Sequence, residues 1–166
     1  PHLSGNKNFA IVHNGIIENY STIKKELILR GHKFESATDT EVLIHLIEEI
    51  HSKNKTSLFD SVRLALNEVI GAYAIVVINK NNPDELIAAR KSSPLIIGMG
   101  EKEYFLASDA TPIIEYTKNV VYLEDGEVAK LSLANGLDLR TIENKNKTPY
   151  IHELEQIGRA SCRERV

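Results

Sequence analysis

The hydrophobic period of this sequence changes at Gly71. Ahead of that glycine, apolar residues recur three and four apart, the spacing of one helix face. Behind it they alternate or run together in short β-branched blocks, as strands do. The order is therefore a strand and helices first, then a run of strands broken by one short helix. Segregation of this kind defines an α+β fold, with helices packed on a largely antiparallel sheet.

The boundaries follow from local signals. Phe9-Ala10-Ile11-Val12 reads as a buried strand closed by a turn at His13-Asn14-Gly15. Ser21 is placed to cap a helix running to about Arg30, with Ile23 and Leu27 on one face and Gly31 ending it. Thr38-Asp39-Thr40-Glu41 has capping-box spacing, and Val42, Leu46 and Ile50, with Leu43 and Ile47, extend a second helix to about His51. Ser57 with Asp60 opens a third, whose inner face is Phe59, Val62, Leu66 and Val69 and which Gly71 stops. Strands are expected at 72–79, 86–90, 95–98 and 104–107, with a turn at Asn81-Asn82-Pro83-Asp84. Asp109 caps a short helix with Pro112 in its first turn and Tyr116 near its end. Asp125-Gly126 and Asn135-Gly136 are hairpin signals between strands at 119–123, 127–133 and 137–142, and 143–148 is a polar linker.

Composition removes several classes of function. The 166 residues fit one domain, and the net charge of -3 argues against nucleic-acid binding, which calls for a basic patch. No apolar run approaches the roughly 20 residues that cross a bilayer as a helix. The single cysteine, Cys162, rules out a disulfide scaffold and a thiolate zinc site. His45 stands four residues from both Glu41 and Glu49, which raises the question of a metal, but a solvated or half-buried helix face is the better reading of that spacing. Gly98-Met99-Gly100 lacks the third glycine of a dinucleotide fingerprint and reads as a strand end and turn. No residue suggests an organic cofactor.

Two segments remain. At the end of a buried strand, the Asn14 amide and the Gly15 N–H could supply two fixed donors to one point, the requirement for an oxyanion hole. Alone, the segment reads as an ordinary Asn-Gly turn. The second segment, Ser36-Ala37-Thr38-Asp39-Thr40-Glu41, reads alone as helix capping by Thr38 or Asp39.

Together they are far more specific. His13-Asn14-Gly15-Ile16-Ile17-Glu18-Asn19-Tyr20 followed by Thr38-Asp39-Thr40-Glu41-Val42 resembles the class II glutamine amidotransferase domain, a group of N-terminal-nucleophile hydrolases. Arg30-Gly31-His32-Lys33-Phe34, Ala88-Ala89-Arg90-Lys91-Ser92-Ser93-Pro94-Leu95 and Tyr122-Leu123-Glu124-Asp125-Gly126-Glu127 resemble one branch of it, the isomerising glutamine–fructose-6-phosphate aminotransferases. The resemblance implies a four-layer αββα sandwich, a cytoplasmic and homodimeric enzyme, glutamine as nitrogen donor and fructose 6-phosphate as acceptor. It implies that Asn14 and Gly15 form the oxyanion hole and that Asp39 holds the α-ammonium of glutamine. It calls for neither a metal nor a cofactor.

The same resemblance exposes departures. The family's nucleophilic N-terminal Cys and its Arg-Trp-Ala-Thr-His-Gly loop have no counterpart between Pro1 and Val166. The chain is expected to be an N-terminally truncated glutaminase domain over 1–142, a linker over 143–156 toward sugar-isomerase domains, and a tail over 157–166. That tail is abruptly rich in arginine, and its reverse translation resembles a short-read sequencing adapter, so it is expected to be read-through. Such a fragment is expected not to hydrolyse glutamine. Two other readings stay open: the glutaminase domain of an amidophosphoribosyltransferase, and a non-catalytic glutamine-binding module.

Overall fold

The structure, a computed structural model, describes residues 1–155. The expected tail and Cys162 lie outside the described residues. In chain order the elements are β1 (His2–Leu3), β2 (Phe9–Ile17), α1 (Tyr20–Leu29), α2 (Asp39–Asn54), α3 (Leu58–Asn67), β3 (Gly71–Asn79), β4 (Asn82–Lys91), β5 (Ile96–Met99), β6 (Tyr104–Ala107), β7 (Asn119–Tyr122), β8 (Glu127–Ser132), β9 (Gly136–Thr141), β10 (Asn146–Lys147) and β11 (His152–Glu153). They form two antiparallel sheets, one ordered β1-β2-β3-β4-β8-β9-β10 and one ordered β11-β7-β5-β6. The α+β sandwich expected from the sequence is the fold observed.

Strand alternation builds the layers. On β3, Tyr73, Ile75 and Val77 face the helices, where they join Leu43, Ile47, Val62 and Leu66 in the largest core. Ala74 faces the other way, with Ala88 and Ala129, toward Ile97 and Val121 of the small sheet and Leu95 and Leu123 at the ends of its strands. Ala88 and Ala129 are directly opposite in the ladder, and their small side chains let the second sheet pack close. The outer face of the small sheet is covered by Ile113, which packs on Ile96 and Val120. That fourth layer is made of turns: 111–116 forms no helix, although Asp109 does accept the Thr111 N–H at 2.8 Å as a cap would.

Several local expectations are corrected by pairing. His13-Asn14-Gly15 is not a turn; β2 runs through it, with Asn14 opposite Ala74 and Gly15 opposite Tyr73. Helix α1 starts before Ser21, and Asn19 leaves its own helix uncapped to bond the Ile70 N–H and the Glu68 carbonyl at 2.9 and 2.8 Å. Gly71 opens β3 and does not stop α3, which has already ended at Asn67. Pro83 lies inside β4, in an irregular stretch where the register jumps between Asn79↔Asn82 and Ile78↔Leu86 and no ladder N–H is needed from it. Asp125-Gly126 is not a hairpin but a crossover between the sheets. Its polar groups are taken by the end of β4: Asp125 Oδ1 accepts the Ser92 N–H at 2.7 Å, and the Gly126 N–H donates to the Arg90 carbonyl at 2.9 Å. The hairpin at Asn135-Gly136 forms as expected, and the polar stretch after it turns back so that β10 pairs with β9.

Candidate active site

Helix α2 positions one half of the site. Thr38 is its N-cap and accepts the Glu41 N–H at 3.3 Å. The reciprocal half of a capping box is missing, because the Glu41 carboxylate turns instead to the Glu35 and Ser36 N–H groups, both at 2.7 Å, and to the Ser36 hydroxyl. Burial works to raise the Glu41 pKa, but these hydrogen bonds outweigh it and hold the group below its ordinary value. The 35–36 loop is thereby fixed against the start of the helix. Asp39 is the first helical residue, where the helix dipole favours a carboxylate.

Strand β2 supplies the other half. Gly15 has a φ of +139°, and a Cβ on it would lie 2.1 Å from the Ala72 carbonyl oxygen of β3. The glycine is required by the approach of the neighbouring strand, a reason distinct from the ligand approach that the sequence suggests. Val12, Asn14 and Ile16 share one face of β2, and Val12 and Ile16 are 49% and 68% exposed. The Asn14 side chain is exposed with them.

Two hydrogen bonds join the halves. The Ile17 N–H donates to Asp39 Oδ2 at 2.7 Å, and His13 Nδ1 lies 2.9 Å from Thr40 Oγ1. Burial lowers the His13 pKa, against the pull of the Asp39 charge, so the ring stays neutral near pH 7. The two bonds tie β2 to the start of α2 at Ile17–Asp39 and His13–Thr40, with Asn14 and Gly15 on the stretch of strand between the tied positions and the Asn14 side chain on its exposed face. The bridging partners Ile17 N–H, His13 and Thr40 carry no signal that sequence reading could isolate.

The opposite flank of α2 overturns one expectation. His45 is not on a solvated or half-buried face; it is 2% exposed. Phe34 stacks on its ring, centroids 4.5 Å apart, and His32 from the α1–α2 connection places Nδ1 3.1 Å from His45 Nδ1. Glu49 receives His32 Nε2 at 2.9 Å and Lys53 Nζ at 2.6 Å. Hydrogen bonds from His32 and then Lys53 bring the Glu49 carboxyl down from 4.5 to about 2, with burial opposing. A depressed carboxylate contributes stability that is fully present above its unfolded pKa and lost as pH falls through its folded one. Glu49→Gln is therefore expected to flatten the loss of stability between pH 4.5 and about 2, read by chemical denaturation at a series of pH values. An acid profile identical to that of the parent would remove Glu49 from this role.

Residues 1–128 match the family described as glutamine amidotransferase domain, and the chain belongs to that family. It is similar to the isomerising glutamine–fructose-6-phosphate aminotransferases of Bacteroides thetaiotaomicron, 54% identical over 155 residues, and of Chlorobaculum tepidum, 47% over 156. Each match covers 93% of this chain and 25% of the relative, so the chain spans about a quarter of the length of these proteins. Among solved structures it resembles the glutamine phosphoribosylpyrophosphate amidotransferase from B. subtilis complexed with ADP and GMP. That match has a TM-score of 0.69 and 28% identity, over 81% of this chain and 29% of that one. A second structure, described as the allosteric regulatory enzyme of purine biosynthesis, matches at a TM-score of 0.68 and 30% identity, over 84% and 30%.

Proposed function

We propose that this chain is the glutaminase part of an enzyme that moves the amide nitrogen of glutamine to fructose 6-phosphate, giving glucosamine 6-phosphate and glutamate. The observation that supports this reading is the Ile17 N–H to Asp39 Oδ2 bond, which joins the strand carrying the proposed oxyanion donors to the helix carrying the proposed ammonium acceptor. In the whole enzyme a cysteine at the mature N-terminus would give its thiol proton to its own α-amino group and attack the side-chain carbonyl carbon of glutamine. The carbonyl oxygen becomes an oxyanion, and the Asn14 amide and Gly15 N–H donate to it. The cysteine α-ammonium passes that proton to the departing nitrogen, the C–N bond breaks and ammonia leaves, and water then cleaves the thioester to release glutamate. The Asp39 carboxylate, steadied through one oxygen by Ile17, offers the other to the glutamine α-ammonium.

The acceptor is assigned from the 47–54% identity to fructose-6-phosphate aminotransferases, against 28–30% for the purine-pathway structures. The domain boundaries at 142 and 156, the homodimer and the cytoplasmic setting belong to the same proposal. Among the described residues no helix is long and apolar enough to cross a membrane. Supplying amide-labelled glutamine to the whole enzyme with either fructose 6-phosphate or phosphoribosyl pyrophosphate tests the acceptor. Label in glucosamine 6-phosphate supports the reading, and label in phosphoribosylamine overturns it.

Asp39→Asn separates charge from shape, because an amide oxygen can still accept the Ile17 N–H. It is expected to raise the KM for glutamine by about tenfold or more, with a smaller change in kcat, since one charge-assisted contact is lost. An unchanged KM would take Asp39 out of substrate binding.

A further inference from the structure

The pairing of His32 with His45 is unusual in its proton bookkeeping. Their Nδ1 atoms are 3.1 Å apart. Either one ring donates a hydrogen to the other, or both present lone pairs to a common cation. The outer nitrogens bear on the choice. His32 Nε2 faces Glu49 Oε2 at 2.9 Å, which requires a hydrogen on Nε2 and leaves Nδ1 of the neutral ring as a bare lone pair. His45 Nε2 faces Glu41 Oε1 at 3.7 Å, and that negative charge favours a hydrogen on Nε2 there too. Two bare nitrogens at this separation repel one another unless a cation lies between them.

A third group stands beside the pair. Glu48 is 7% exposed, and among the described residues no Lys or Arg forms an ion pair with it. Its carboxylate is oriented by the Gly5 N–H at 3.1 Å and the Asn6 N–H at 2.9 Å. Ligand atoms of His32, His45 and Glu48 all lie within 4.8 Å of one another. A buried carboxylate without a cationic partner is costly, and bound cations are one of the few ways to offset it.

We propose that His32, His45 and Glu48 form a binding site for a divalent transition-metal ion of the zinc type. Two imidazoles and one carboxylate suit that class better than magnesium or calcium, which favour all-oxygen shells. Tetrahedral zinc holds its nitrogen ligands about 2.0–2.1 Å from the metal, hence roughly 3.3 Å from each other, close to the spacing of the histidine pair. Glu48, held by the Gly5 and Asn6 N–H groups, presents an oxygen within 4.8 Å of the histidine ligand atoms and supplies the third ligand. Glu49, hydrogen-bonded to His32 Nε2, fixes that ring as carboxylates commonly do behind metal-bound histidines, and Phe34 stacks on the His45 ring. A cavity of about 750 Å³, lined by Pro1, His2, Gly5, His32, His45 and Glu48 among others, adjoins the cluster. Gly5 keeps it open at the site, since a Cβ there would meet Glu48 Oε2 at 3.0 Å and His45 Cε1 at 3.3 Å. The ion would tie the α1–α2 connection to the middle of α2, a structural role independent of the glutaminase reading.

The test is zinc titration of the chelator-stripped full chain against a chromophoric competitor, followed by cobalt substitution and visible absorption. One equivalent bound with a Kd below about 1 µM, and a tetrahedral cobalt spectrum, are expected. His32→Gln and Glu48→Gln are each expected to weaken binding by tenfold or more, while His152→Gln leaves it unchanged. His32 lies in a loop, so a thermal melt of metal-free His32→Gln establishes that the fold is retained. If the parent binds no zinc, the pair is an ordinary hydrogen bond and the proposal fails. It fails equally if His32→Gln binds as tightly as the parent, or if His152→Gln is the variant that loses the metal.

Discussion

Replacing Asn14 with alanine in an enzyme carrying the whole glutaminase domain is expected to slow glutamine hydrolysis by about 10²–10³, the usual cost of one oxyanion donor. The loss should fall on kcat, because a donor aimed at the developing oxyanion acts in the transition state and little before it. Stability should barely change. Asn14 is exposed, its side chain makes no hydrogen bond among the described residues, and the position opposite it in the ladder is Ala74. A strand position of this kind accepts alanine within about 1 kcal/mol. The pair of readouts matters: a kcat lowered by two orders of magnitude with an unchanged melting temperature identifies chemistry, whereas a parallel fall in both identifies damage to β2. Near-parental turnover would remove Asn14 from the oxyanion hole.

That prediction concerns a residue whose meaning depends on what lies across from it. By local chemistry alone Asn14-Gly15 and Asp125-Gly126 are turn pairs, and neither closes a hairpin. In the first case nine residues of β2 pair continuously with β3; in the second the flanking strands belong to different sheets. Asn135-Gly136, with the same local signal, does close one because β8 and β9 are sheet neighbours. Turn chemistry permits a reversal of the chain, but the partner strand decides whether it becomes a hairpin. The three long helices, whose hydrogen bonds are local, were legible to within a few residues, with Thr38 and Ser57 capping α2 and α3 as their spacing indicates, whereas the short helix expected after Asp109 is a run of turns. The candidate site was legible only through family resemblance, since each segment by itself read as a turn or a cap. The His32–His45 pair was beyond reach, because a loop residue and a helix residue thirteen positions apart share no periodicity.

Gly71→Ala should be among the most damaging single substitutions in the chain, at about 3–5 kcal/mol. Gly71 and Gly15 sit on facing strands and impose the same condition on one another. Gly71 has a φ of +144°, and a Cβ on it would lie 2.1 Å from the Ile16 carbonyl oxygen; Gly15, at +139°, stands in the same relation to Ala72. L-residues rarely adopt that backbone conformation, and the atom in the way is main chain, which cannot rotate aside. Relief requires β2 and β3 to separate where Ile17 pairs with Gly71 and where the Glu18 N–H bonds the Ile70 carbonyl at 2.8 Å. Separation there opens the core at Ile17 and Tyr73, both essentially fully buried, and also pulls the Ile17 N–H away from Asp39. In a domain of this size the melting temperature is expected to drop by on the order of 10 °C. Gly126→Ala supplies the contrast: its φ is +77°, but a Cβ there meets nothing within 4 Å. That change should cost only the dihedral preference, about 1 kcal/mol. Equal losses in the two variants would mean that backbone conformation alone accounts for Gly71. A loss several times larger at Gly71 would mean that the close approach of β2 to β3 is what requires glycine there, and that this approach also sets the distance between strand and helix at the candidate site.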